Sequence, residues 1–97
     1  MRKPAVRNLE GTSLEDATAA MLRQGFIEHD RGEDHVVLKR PGRSSFATKA
    51  ENVDLEAVLT RQGGDADLQV RYDTTVLLET GDDLDEAADR IARVITA

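Results

Sequence analysis

Hydrophobic and polar residues alternate most regularly between Leu68 and Glu79. Leu68, Val70, Tyr72, Thr74, Val76 and Leu78 fall on one side of an extended chain. Gln69, Arg71, Asp73, Thr75 and Glu79 fall on the other, with Leu77 the exception. A period of two with one apolar side predicts a strand of an antiparallel sheet covered on one face. Strands average about 5–6 residues, so this run is long, and a bend is expected near Asp73 and Thr74. Two further β-prone runs, 26–30 and 35–39, flank Arg31, Gly32, Glu33 and Asp34 and predict a hairpin. Pro41 and Gly42 end its second strand, and residues 45–50 read as a third, weaker strand.

In two segments the period lengthens to that of a helix. Leu14, Ala17, Met21 and Leu22 recur at helical spacing, Thr12 and Glu15 have the spacing of a capping box, and Gly25 suits the position just past a helix end. These signals predict a helix over 13–24. Leu84, Ala87, Ala88, Ile91, Val94 and Ile95 form a stripe that predicts a second helix over 83–96. Asp83 can cap it, Asp82 and Asp85 complement its positive end, and Glu86–Arg90 and Asp89–Arg93 have i,i+4 spacing.

Residues 53–62 fit both periods. Val53, Leu55, Ala57 and Leu59 alternate, whereas Leu55, Val58 and Leu59 share one face of a helix. The Leu, Glu and Ala content favours a helix, with Gly63 as its stop, and a helix is the expectation. Residues 1–11 show no period and read as a tail or an edge segment. The resulting order, α-β-β-β-(α)-β-α, defines the α+β class. The expected architecture is a two-layer sandwich, a mainly antiparallel sheet of about four strands with two or three helices on one face. Ninety-seven residues fit a single domain over 1–97.

Composition narrows the function classes. The chain has no cysteine, which excludes a disulfide framework, a thiolate zinc site and a cysteine nucleophile. Twelve alanines thin the apolar set, so the core is small and self-association is an expected source of extra stability. Net charge is −6, from +2 over residues 1–49 and −8 over residues 50–97. The acidic second half repels phosphate backbones and argues against nucleic acid as a partner, while the opposed halves can attract each other between two copies. Acid-rich, lysine-poor composition also suits a salt-loaded cytoplasm. No apolar run is long enough to span a bilayer and no secretory leader is visible, so the cytoplasm is the expected location and no membrane is expected as a partner.

Three clusters are candidates for chemistry. Lys39, Arg40 and Arg43 surround a tight turn at 39–43 and, with Arg31, are candidate anion ligands. His29 and His35 flank a hairpin loop rich in carboxylates; paired across the strands they would share a face and suit Zn²⁺, and shifted by one residue they would not. The acids Glu79, Asp82, Asp83, Asp85, Glu86 and Asp89 lack the order of an EF-hand loop and read as helix-capping charge. Tyr72 reads as a core residue with its hydroxyl at the sheet edge. No nucleophile elbow, phosphate loop or dinucleotide fingerprint occurs.

The expected function is therefore a small, soluble, non-catalytic interaction domain without a cofactor, pairing with itself or another protein. The alternative is a module for a small anionic ligand at the 39–43 turn, and the third reading a metal-dependent enzyme at His29 and His35.

Overall fold

Tertiary pairing, rather than intrinsic propensity, decides residues 55–62. In the computed structural model, which describes residues 4–42, 54–73 and 83–97, they form a strand and not the expected helix. The described elements are strand β1 (Ala5–Leu9), helix α1 (Leu14–Arg23), strands β2 (Ile27–Arg31), β3 (His35–Arg40), β4 (Leu55–Gln62) and β5 (Asp65–Tyr72), and helix α2 (Asp83–Thr96). The sheet is antiparallel throughout, in the order β1-β5-β4-β3-β2. Among the described residues it has five strands instead of about four; β1 and β4 are the two not expected as strands. The described elements form an α+β sandwich with two helices.

β4 sits at the centre of the sheet, paired to β3 on one side and β5 on the other. Its backbone groups are thus satisfied on both edges, and Leu55, Ala57 and Leu59 are fully buried on one face. Val58 points the opposite way, so the helical grouping of Leu55, Val58 and Leu59 does not exist. A strand flanked by two others is stabilised by cross-strand packing that outweighs the helix preference of Leu, Glu and Ala. Gly63 starts the two-residue β4–β5 turn at φ +62°, a backbone conformation hairpins reserve for glycine.

The residues 5–9 expected as tail or edge form the edge strand β1, paired to β5 with Ala5 opposite Val70 and Leu9 opposite Ala66. β5 begins earlier than the alternation suggests, at Asp65. Ala66, Leu68 and Val70 are fully buried and Tyr72 packs against the core. Thr74, Val76 and Leu78 of the predicted long strand, and the predicted strand at 45–50, lie outside the described residues.

α1 is capped by Ser13, one residue after the expected Thr12; the Ser13 hydroxyl accepts from the Asp16 backbone N–H at 3.1 Å. Its C-terminus closes on Gly25 at φ +88°, with Gly25 N–H donating to Leu22 O and Phe26 N–H to Met21 O. That pair of bonds is a Schellman motif, and Phe26 and Met21 are both buried beside it. α2 buries Leu84, Ala87, Ala88, Ile91 and Ile95, whereas Val94 of the predicted stripe is exposed. Leu9, Leu14, Met21, Val36, Leu38, Leu55, Leu59, Leu68 and Ile91 belong to one core lying between the sheet and both helices.

Candidate functional site

With both helices on one side, the other face of the sheet is covered by no described element. Register places three rows of side chains across it, because residues directly opposite in an antiparallel pair share a face. The middle row runs Val6, Gln69, Val58, Val37, Asp30 from β1 to β2. On one side of it lies Arg71, Glu56, Lys39, Ile27, and on the other Asn8, Asp67, Thr60, His35. Val6 is 54% exposed and Ile27 64%, while Val37 and Val58 are half-buried between them.

Glu56 organises the electrostatics of this face. It is buried, and it is held by Arg71, whose Nε donates to Oε1 at 2.6 Å, and by Lys39, whose Nζ lies 3.7 Å from Oε2. Lys39 also reaches Asp73 at 3.5 Å. A buried carboxylate is tolerated only when its charge is met by partners, and cations from the two neighbouring strands do that here. The result is an alternation of charge across three strands, ending at the exposed Ile27.

The predicted anion ligands do not gather. Lys39 and Arg40 are adjacent in a strand and therefore point to opposite faces. Lys39 joins Glu56 on the open face. Arg40 turns to the helix-covered face, where its guanidinium lies 4.8 Å from the Phe26 ring centroid and donates to Gln24 O at 3.4 Å. Arg31 pairs with Glu28 at 2.6 Å across the β2 bulge, which keeps the guanidinium more firmly protonated than an isolated one. Arg43 lies outside the described residues.

The histidines are also apart. The β2–β3 register shifts between Glu28 and Asp30, so His29 is the extra residue of a bulge and has no direct partner on β3. His35 sits opposite Thr60 of β4, and its ring packs over Gly32. Among the described residues no group of three or more His, Cys, Asp or Glu side chains is placed to hold a metal ion. Of the acids once grouped near α2, Asp85 and Asp89 pair with Arg7 of β1, and Glu86 lies 3.9 Å from Arg90. Asp89 thus takes Arg7 instead of the expected Arg93, which donates to the Asp89 carbonyl oxygen. Glu79 and Asp82 lie outside the described residues.

Sequence reasoning passed over Glu56, Val6 and Ile27. The available signal was a charged residue inside an otherwise alternating run, Leu55-Glu56-Ala57-Val58-Leu59, which a strand reading would have placed on the face opposite the core. No family model, curated protein or solved structure matches the chain. No helix among the described residues is long and apolar enough to cross a membrane.

Proposed function

We propose that this chain is a non-catalytic interaction domain that pairs, through the open face of its sheet, with a second copy of itself. The carrying observation is the middle row: Val6, Val58 and Val37 lie on a face that no described element covers. The two flanks of the row also differ in charge. Lys39 and Arg71, ion-paired with Glu56 and Asp73, lie on one side of it, while Asp67 and, further along, Asp65 lie on the other. A two-fold axis lying in the interface along the middle row would stack the two open faces and bring the Lys39 and Arg71 side of one copy over the Asp67 and Asp65 side of the next, the self-complementarity that an isologous interface requires. The cytoplasm is the compartment in which we expect this pairing.

Sedimentation equilibrium of the full chain across a salt series tests the proposal. A dimer is expected, and Val58→Lys with Ile27→Lys is expected to yield a monomer with an unchanged circular dichroism spectrum. A wild-type chain that stays monomeric at every ionic strength defeats it.

A further inference from the structure

His35 stands on the open face, exposed and opposite Thr60 of β4. Gly32 N–H donates to His35 O at 2.9 Å, which sets these two residues opposite each other across the β2–β3 hairpin. A side chain at Gly32 would collide with His35 Cε1 and Nδ1. The imidazole therefore lies over the hairpin in the space that glycine leaves, at one end of the surface through which the chain is proposed to pair.

The charged groups around this ring come from every neighbouring element. Asp30 of β2, opposite Val37, is its diagonal neighbour on the open face. Glu33 and Asp34 form the adjoining turn, and Asp67 of β5 follows beyond Thr60 in the same row. Asp34 is engaged by Arg61 of β4 at 3.3 Å and Asp67 by the Asn8 side chain at 2.8 Å. Arg31 is held by Glu28. A proton on the exposed ring of a single chain is thus surrounded by water and by acids.

Pairing changes those surroundings. A two-fold axis along the middle row turns β3 of one copy end for end over β3 of the other, about Val37. His35 and Lys39 lie two residues to either side of Val37, so His35 of each copy comes to face Lys39 of the other. The acids beside Lys39 are already committed, Glu56 to Lys39 and Arg71, and Asp73 to Lys39. An imidazolium placed there loses its water and gains a cation as its neighbour, and both changes disfavour its charge.

We propose that acid separates the two copies, through protonation of His35 on the pairing face. This regulation rests on the pairing proposed above. Imidazole is the side chain that ordinarily changes charge between about pH 5 and 8. A proton accepted more readily by the single chain than by the pair drives dissociation by linkage. Pairing is therefore tightest above the imidazole range and weakens as pH falls through it.

Sedimentation equilibrium of the full chain at about pH 8 and about pH 5.5, at one ionic strength, tests this. Asp89 and Glu15, both held below the usual carboxylate range, stay ionised throughout that window. The wild-type dissociation constant should rise about tenfold or more in acid, and that of His29→Gln should rise equally. That of His35→Gln should not change with pH. A wild-type pair equally tight at both pH values, or a His35→Gln pair that still loosens in acid, overturns the acid control and leaves the pairing standing. A wild-type chain monomeric at about pH 8 overturns both. If His35→Gln does not pair, imidazole NMR of the wild type decides: His35 should take up its proton at lower pH in concentrated than in dilute solution, and a midpoint independent of concentration overturns the proposal.

Discussion

Arg7 Nε donates to Asp89 Oδ1 at 2.6 Å, joining the first strand to the last helix across 82 positions of sequence. The hydrogen bond to Arg7 is the main reason the Asp89 carboxyl is held below the usual aspartate range. The folded state therefore binds this proton less readily than the unfolded chain. The stabilisation is complete above about pH 4, the ordinary value for Asp, and disappears as pH falls through the lower folded value. Asp89→Asn should melt at a lower temperature than wild type near neutrality, with the two curves converging in acid. A gap that stays constant to the lowest pH would contradict this account. Glu15, lowered chiefly by its hydrogen bond from Arg61, should behave likewise.

Glu56 and its cations should respond asymmetrically to substitution. The Glu56 side chain is 9% exposed and that of Arg71 57%. Glu56→Gln leaves two cations that water can reach, and should cost about 1 kcal/mol. Lys39→Met with Arg71→Met leaves a buried carboxylate without a partner, and should cost about 3–5 kcal/mol. Urea unfolding of both variants checks the order; equal losses would mean that Glu56 is solvated in the folded state.

The turns give a prediction that depends on backbone alone. Gly25→Ala forces an L-residue to φ +88° although there is room for the methyl group, the nearest atom being Arg40 Cδ at 3.7 Å. It should cost about 1 kcal/mol. Gly64→Ala, outside the left-handed region and with nothing within 4 Å, should change stability by less than about 0.5 kcal/mol. Thermal melts of the pair separate the two effects.

Alternation in β4 can be read from two neighbours. Leu59→Ala opens a cavity in the core and should cost about 2–5 kcal/mol, whereas Val58→Thr, on the open face, should cost under about 1 kcal/mol in the monomer. Comparable losses at both positions would restore the helical reading of 53–62.

Much of the fold was legible where one period dominated. Leu68 and Val70, and the apolar stripe of α2 apart from Val94, followed the sequence pattern because each element buries a single face. β4 was ambiguous because it holds Leu, Glu and Ala, good helix formers, at positions that only two flanking strands make extended. The cap is Ser13 and not Thr12: the Ser13 hydroxyl accepts from the Asp16 N–H, while Thr12 belongs to the turn after β1, its N–H donating to Leu9 O. The candidate site was less legible. A run of basic residues in sequence says nothing about faces, and in β3 it split Lys39 from Arg40. The bulge at His29 changed the hairpin register, a backbone event without a local signature. Glu56 gains its meaning only when β3 and β5 bring Lys39 and Arg71 to it.

The placement of β1 next to β5, and not beside its neighbour in the chain, bears on how the protein is made. Asn8 reaches Asp67 59 positions on, so the strand that leaves the ribosome first waits longest for its mate. The four strands β2 to β5 form a meander in which each pairs with its successor, and such nearby pairings close at less entropic cost than distant ones. Translation halted before Asp65 leaves Ala5–Leu9 as a strand with nothing to dock on, and the nascent fragment a candidate for chaperone holding and degradation rather than a smaller version of the fold.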